Sequence, residues 1–459
     1  MNEKQIRRCP CSDRLTTGFT HCGFIGRLLK KILKTKHCSR ISSSYRQEPS
    51  TEPSLEGGKQ DHGTLGKQLD LFSIDRKTGV GLVLWHPKGT LVRKILRDFL
   101  EKEHLRHGYK LVSTPHIARG ELWEASGHLE FYRENMYVFE RKGEPYVVKP
   151  MNCPLHIQIY KSRTRSYRDL PIRYAELGTV YRRERSGTLH GLLRVRGFTQ
   201  DDAHIFCTPR QVEDEITEIL DLTEHILGRL GFSEYKVELS VKDPKQPENY
   251  IGSNEDWESA QEILAKALER RRMTYRKAVG EAVFYGPKID LKIVDSIGRE
   301  WQCSTIQFDF NLPKRFDLTF VGSDGQEHPT LMIHRTLLGS IERFIGIMME
   351  HYAGNLPLWL PPIQVRVMSI SKEYNHYAEK IHKALIKQGI RSTLDNSAST
   401  LSYKIREAET QKVPYMVICG EAEVKSDELS VRRHTVGDVG RFTFKSFVRL
   451  IEEENHRKR

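Results

Sequence analysis

Apolar residues change their spacing along this chain, and the changes divide it into elements. Over residues 88–107, Leu91, Ile95, Phe99 and Leu105 form one stripe at helical spacing with charged residues between them, which predicts an amphipathic helix. Gly108 is placed to end it, because glycine tolerates the left-handed turn that closes many helices. Residues 109–112 then predict a strand that stops before Pro115. From 170 to 205, two strand-like runs flank Ser186-Gly187, the pattern of a hairpin. Helical spacing returns over 210–230, and residues 235–241, 283–285 and 289–294 read as further strands. Residues 331–349 are apolar nearly all round and predict a buried helix.

A proline-rich break, Leu356-Pro357-Leu358-Trp359-Leu360-Pro361-Pro362, follows. Beyond it, strand patterns at 364–368, 391–394, 415–419 and 429–433 alternate with helical ones at 372–388, 401–410 and 444–453. Such alternation predicts a small α/β domain. At the other end, Ser42-Ser43-Ser44, Pro49, Pro53 and Gly57-Gly58 mark a tract without periodicity. The expected plan is a leader over 1–60, a first folded domain over 61–358 and the α/β domain over 359–459.

Charge changes how the leader is read. The chain has 459 residues and a formal net charge of +13. Residues 1–50 hold eleven Lys/Arg against three Asp/Glu, so +8 sits there and only +5 on the rest. The basic balance, which alone suggests a polyanionic partner, is therefore mostly the leader's. Residues 24–36 (FIGRLLKKILKTK) are short, basic and amphipathic. A disordered extension and an organellar transit peptide both suit them. Cys9, Cys11, Cys22 and Cys38 also lie in the leader, at spacings that match no common zinc knuckle. Cys153, Cys207, Cys303 and Cys419 are scattered, as expected in a reducing compartment. No run reaches the ~18 apolar residues a membrane-spanning helix needs.

Several familiar chemistries are absent. There is no Gly-x-x-x-x-Gly-Lys-Ser/Thr loop, no Gly-x-Gly-x-x-Gly fingerprint and no Gly-x-Ser-x-Gly elbow. The conspicuous segments are Tyr181-Arg182-Arg183-Glu184-Arg185 and His190-Gly191-Leu192-Leu193-Arg194-Val195-Arg196. Guanidinium forks match phosphate oxygens bidentately, although a solvated charged hairpin has the same composition. Glu184 and Phe198 among these arginines add a nucleotide-binding reading. Arginine would hold phosphate, Glu184 would accept from an adenine amino group, and Phe198 would stack on the base.

These segments resemble the class II aminoacyl-tRNA synthetases. Tyr181-Arg182-Arg183-Glu184 matches the second motif of that class, the strand before Pro115 resembles the first, and Gly339-Ser340-Ile341-Glu342-Arg343 resembles the third. Lys149-Pro150-Met151-Asn152-Cys153-Pro154, Thr199-Gln200-Asp201-Asp202-Ala203-His204 and Met332-Ile333-His334-Arg335 narrow the resemblance to the threonyl-tRNA synthetase family, from about residue 61 to the C-terminus. The resemblance implies an α+β chain, with an antiparallel-sheet catalytic domain followed by an α/β anticodon-binding domain. It also implies one zinc ion on Cys153, His204 and His334, with Mg²⁺ accompanying ATP. Three protein ligands leave coordination open to substrate, and a site that engages a hydroxyl rejects valine, which lacks one.

By the same resemblance, Arg182 and Arg343 are the catalytic residues. Arg182 serves the α-phosphate, while Arg343 and Arg194 serve the terminal phosphates. Glu184 and Phe198 take adenine, Gln302 and Thr305 lie near ribose and adenylate, and Gln200, Asp202 and Tyr285 hold threonine. Glu423 and Arg432 contact the anticodon. The implied function is a threonine–tRNA ligase that makes threonyl-adenylate from ATP and L-threonine and charges tRNA(Thr). The alternative is a synthetase-like paralogue that binds RNA or charges another carrier. A homodimer, no membrane contact and a separate trans-editing protein complete the expected partners. Two departures stand out. Asp395-Asn396-Ser397-Ala398 has alanine where bacterial members usually carry asparagine. Residues 1–60 are too short for the family's ubiquitin-like and editing domains, so charging without cis editing is expected. The cytoplasm is the expected compartment, or a mitochondrion or other organelle if the leader is a transit peptide.

Overall fold

This computed structural model describes residues 61–295 and 298–457. Helix α1 (His62–Gln68) comes first, with the Asp61 side chain accepting the N–H groups of Gly63 and Thr64 at its start. Helix α2 (Pro87–Arg106) opens on a proline, whose fixed φ and missing N–H suit a first helical position. Its extent agrees with the 88–107 pattern, but the buried stripe is Val92, Leu96, Phe99 and Leu100, while Leu91 and Ile95 are only partly buried and Leu105 is exposed. Strand β1 (Lys110–Leu111) is shorter than its pattern. Helix α3 (Cys153–Lys161) precedes a long hairpin of β2 (Ile172–Tyr181) and β3 (Gly197–Cys207). Then come α4 (Val212–Arg229), β4 (Tyr235–Val241), α5 (Asn254–Arg270), β5 (Tyr275–Val279), β6 (Lys288–Val294), β7 (Glu300–Asp309), β8 (Leu331–Ser340) and α6 (Ile341–His351).

Eight strands form one sheet in the order β5-β4-β6-β7-β8-β3-β2-β1. Its six central strands are antiparallel, and only the outermost pairs are parallel. Side chains alternate across a strand, so the two faces differ. Ala203, Ile205 and Cys207 of β3, Ile306 and Phe308 of β7, and Ile333 and Leu337 of β8 join residues of α4, α5 and α6 in the main core. Burying each large apolar side chain contributes roughly 1.5–3 kcal/mol. The other face of the same strands presents Gln200, Asp202, His204, Thr305, Gln307, His334 and Thr336, and register brings them together. His334 pairs with both His204 and Gln307, and Thr336 pairs with both Asp202 and Thr305.

Residues 331–349 are not one helix. They are strand β8 followed by helix α6. A central strand covered on both faces loses its alternation, so its pattern resembles that of a buried helix. The break falls where Gly339 takes φ +67° and the Ser340 hydroxyl accepts the N–H of Arg343 at 3.2 Å. Residues 283–285 are also not a strand, because Val283 only bridges to Gly286 in a turn. Helix α5 lay outside the expected elements, although Trp257, Ala260, Leu264, Ala267 and Leu268 give it a regular buried stripe.

After the proline-rich break come β9 (Val365–Ser369), α7 (Asn375–Lys387), β10 (Ser392–Asp395), α8 (Leu401–Thr410), β11 (Tyr415–Cys419), α9 (Glu421–Ser426), β12 (Glu428–Arg433), β13 (Gly437–Thr443) and α10 (Phe444–Arg457). Their sheet runs β10-β9-β11-β12-β13, parallel over the first three strands and antiparallel over the last two pairs. Strand β13 is an addition to the expected alternation. Val365, Val367, Leu385, Val417 and Phe447 centre a second core. The break is packed into both bodies: Leu358 belongs to the second core, while Leu356, Trp359 and Leu360 belong to the first. An antiparallel-rich body joined to a small mixed one is the α+β arrangement expected. No helix among the described residues is long and apolar enough to cross a membrane.

Candidate active site

The polar face of the large sheet is the floor of a cleft of about 420 Å³. All thirteen residues assigned to ATP, threonine or metal line it. They come from α3, the β2–β3 hairpin, β7, β8, α6 and the turn at Tyr285.

At the deep end, ligand atoms of Cys153, His204 and His334 lie within 4.8 Å of one another, and all three residues are buried. His204 and His334 arrive from facing positions on β3 and β8. Cys153 is the first residue of α3, where the helix dipole favours a thiolate. The outer nitrogens are held in the manner of metal-ligating histidines. His334 Nε2 lies 2.8 Å from Asp309 Oδ2, and His204 Nδ1 lies 2.7 Å from His156 Nδ1. His156 Nε2 in turn reaches Glu176 Oε2 at 3.1 Å. These bonds leave His334 Nδ1 and His204 Nε2 for an ion. Burial, with His334 and His156 nearby, holds His204 well below the ordinary histidine range, so its ring is neutral. Burial, with Asp202 and Asp309 nearby, pushes the Cys153 thiol well up, and a bound cation would reverse that preference. One thiol and two oriented imidazoles fit a zinc ion.

Toward the opening, Arg182, Arg194 and Arg343 converge. Arg182 lies over the Phe198 ring at 5.2 Å from its centroid and donates to Pro150 O at 3.2 Å. Arg194 donates to Glu184 Oε2 at 2.9 and 3.1 Å. Arg343 donates to Leu193 O at 2.9 Å. Burial pushes the Arg343 guanidinium down, and the positive charges of Arg194 and Arg182 push the same way. Like charges gathered in a cleft favour an anionic ligand.

Between these ends, Asp202 Oδ2 accepts from Asn152 Nδ2 at 2.9 Å, and burial raises its carboxyl. The Tyr285 hydroxyl donates to Gln307 Oε1 at 3.2 Å, while Gln307 Nε2 is buried without a protein partner. Gln302 Nε2 and Thr305 Oγ1 both donate to Asp290 Oδ1, at 2.6 and 2.8 Å. Gln200 lines the cleft beside them. Lys288, Gln307 and Asp290 are additions to the sequence-assigned set. Their strands alternate in the sequence, but only the register, which pairs Lys288 with Gln307 and Asp290 with Thr305, shows that they share a face with the histidines.

Glu423 and Arg432 lie in the second body, outside the cleft. Both Glu423 oxygens are engaged, by the N–H of Gly420 at 2.8 Å and the Ser430 hydroxyl at 2.6 Å. Ser430 and Arg432 stand two residues apart on β12 and share its half-exposed face. Asp395 Oδ1 accepts the N–H and hydroxyl of Ser397, next to exposed Ala398. The leader's cysteines and basic stretch lie outside the described residues.

Residues 137–352 match the family described as the tRNA synthetase class II core domain (G, H, P, S and T). Residues 364–454 match the anticodon binding domain family. The threonine–tRNA ligases of Acidobacterium capsulatum and Aquifex aeolicus are each 53% identical to this chain, over 394 and 397 residues. Each alignment covers 86% of this chain but only 58% and 62% of the respective relative. A crystal structure described as the RNA binding domain of threonyl-tRNA synthetase from Cryptosporidium parvum Iowa II superposes with a TM-score of 0.82 at 38% identity, covering 86% of this chain and 98% of that one. On this identity and coverage, with the Cys153/His204/His334 trio and the converging arginines in one cleft, the chain belongs to the threonyl-tRNA synthetase family.

Proposed function

We propose that this chain is a threonine–tRNA ligase, with residues 61–358 as the catalytic domain and 359–459 as the anticodon-binding domain. The observation that carries this reading is the continuity of one cleft from the Cys153/His204/His334 trio to the three arginines. A zinc ion held by Cys153, His204 and His334 would supply Lewis-acid coordination for an amino group and a neighbouring hydroxyl. Asp202, at the floor, accepts a hydrogen bond from that amino group of L-threonine, which is neutral when it coordinates the metal. Tyr285 and Gln307 close the pocket around its side chain, with Gln307 Nε2 free to donate. Gln200 orients the carboxylate toward the opening.

ATP enters with Mg²⁺. Arg182 holds the α-phosphate while the threonine carboxylate attacks it and pyrophosphate leaves. Arg194 and Arg343 hold the terminal phosphates. Phe198 and Glu184 receive adenine, and Gln302 and Thr305 lie beside the ribose. Such phosphoryl chemistry is promoted mainly by positioning and charge stabilisation. The adenylate then passes its acyl group to a terminal ribose hydroxyl of tRNA(Thr), whose anticodon meets the Arg432 face of the second body while Glu423 holds the adjoining turn.

The remaining partners belong to the same proposal. Edge strand β1 and the segment after it expose Leu111 and Ile117, apolar area suited to a second copy in a homodimer. Serine offers the same amino group and hydroxyl, so its activation is expected too, with a separate trans-editing protein removing the product. The four described cysteines are free, which suits a reducing compartment such as the cytoplasm.

The test is ATP–pyrophosphate exchange with threonine, serine, valine and proline, with and without a chelator. Exchange with threonine, less with serine, and chelator sensitivity are expected. Exchange driven by proline, or none at all, would overturn the reading.

A further inference from the structure

Helix α1 meets the ATP end of the cleft at its first residue and the second body at its last. His62 is 1% exposed. Its Nε2 accepts the N–H of Leu192 at 3.0 Å, so Nδ1 carries the proton and donates to Glu350 Oε1 at 2.6 Å. Leu192 lies in the tight loop 190–194, closed by the N–H groups of Leu193 and Arg194 on His190 O. The next carbonyl, Leu193 O, accepts from Arg343. Thus His62 and Arg343 grip successive residues of the loop that carries Arg194. The fit is close: a Cβ on Gly191, where φ is +45°, would lie 2.0 Å from His62 Nε2.

At the other end, Gln68 and Gln411 form a reciprocal latch. Gln68 Nε2 donates to Thr410 O at 2.9 Å, and Gln411 Nε2 donates to Gln68 O at 2.9 Å. Lys88 Nζ donates to Gln411 Oε1 at 2.8 Å. Thr410 is the last residue of α8. The seven residues of α1 span about 10 Å. Leu65 and Leu69 seat the helix in the main core, which makes it a short, stiff element with a polar grip at each end.

We propose that α1 is a strut that couples tRNA occupancy of the second body to the phosphate-binding loop of the ATP site, with His62 as the positioning residue. This rests on the ligase reading above. RNA held by the second body biases the Thr410–Gln411 end, α1 carries the bias, and His62 sets the placement of Leu192, Leu193 and Arg194. Such coupling is reciprocal, so ATP must change tRNA affinity by the same factor.

The test measures the affinity of the full chain for an ATP analogue that cannot be cleaved between its α- and β-phosphates, with and without a tRNA(Thr) transcript. The wild-type chain is expected to show a tRNA effect of about fivefold or more. The Gln68→Ala/Gln411→Ala double variant is expected to lose that effect while tRNA-free exchange stays within about twofold of wild type. His62→Ala is expected to raise KM for ATP about tenfold with little change in kcat, because it leaves the buried Leu192 N–H unpaired. His62→Gln, which retains an acceptor, should restore part of that loss, and Gly191→Ala should reproduce it from the loop side. These two keep the test decisive if His62→Ala fails to fold. An unchanged analogue affinity on adding tRNA, or a latch variant that keeps the wild-type effect, would overturn the proposal. Absent threonine-dependent exchange would remove the ligase reading alone, because the affinity measurement does not depend on it.

Discussion

His204 and His334 face each other across adjacent antiparallel strands, with ring centroids 4.7 Å apart. Cross-strand register alone brings together two residues 130 positions apart in sequence. Their outer nitrogens are already committed to His156 and Asp309.

The trio should therefore bind one zinc ion per chain. Cys153→Ser is expected to lose it, and His156→Ala to weaken it about 10- to 100-fold, because His156 orients His204 from behind. Metal analysis of dialysed protein and competition against a chelating dye measure both. Full zinc content in Cys153→Ser would exclude the trio as the site.

Substitution of Arg182 would separate the proposed metal site from the proposed nucleotide chemistry. Its guanidinium lies over Phe198 and reaches Pro150 O, and it takes no part in the bonds that orient His204 and His334. Arg182→Ala is expected to cut threonine-dependent exchange by about 10²–10³-fold, the typical cost of removing one charge-stabilising donor, with zinc content unchanged. Exchange at the wild-type rate would remove Arg182 from its assigned role.

Much of this was legible in the sequence, for identifiable reasons. The extent of α2 and the β2–β3 hairpin follow local periodicity, although the buried stripe of α2 lies one residue on from Leu91 and Ile95, and strands β4 and β11 lie where their patterns place them. That the motif arginines and the Cys153/His204/His334 trio share one cleft was legible through resemblance, since residue types and short spacings survive in a linear text. Lys288, Gln307 and Asp290 were not, because their side of the sheet depends on the register between β6 and β7. His62 was not legible because its partners, Leu192 and Glu350, are distant in sequence and its neighbours carry no motif. Strand β8 was misread as helix because a strand buried on both faces has no alternation to report.

The junction that ends β8 makes a stability prediction. Gly339 takes φ +67°, and a Cβ there would stand 3.0 Å from Cys303 O. Gly339→Ala is expected to destabilise the chain by about 1–3 kcal/mol and to raise KM for ATP by displacing Arg343 at the start of α6. Urea unfolding and exchange kinetics report the two effects. A wild-type unfolding midpoint would show that the junction tolerates a side chain.

Glu350 supplies a pH signature for the grip at His62. Burial opposes its ionisation, but hydrogen bonds from His62 and Arg299 prevail and hold its carboxyl at about 2, against an ordinary 4.5. A depressed carboxyl contributes stability that is complete above its unfolded value and lost as pH falls toward the folded one. The loss should therefore run from about pH 5 downward, with a full span on the order of 3 kcal/mol. Glu350→Gln cannot ionise, so it should be less stable than wild type at pH 7, and the gap should narrow as the pH is lowered toward 3. Urea midpoints of both proteins at several pH values measure it. A gap that stays constant from pH 7 to pH 3 would mean that the Glu350 charge does not hold His62 in place.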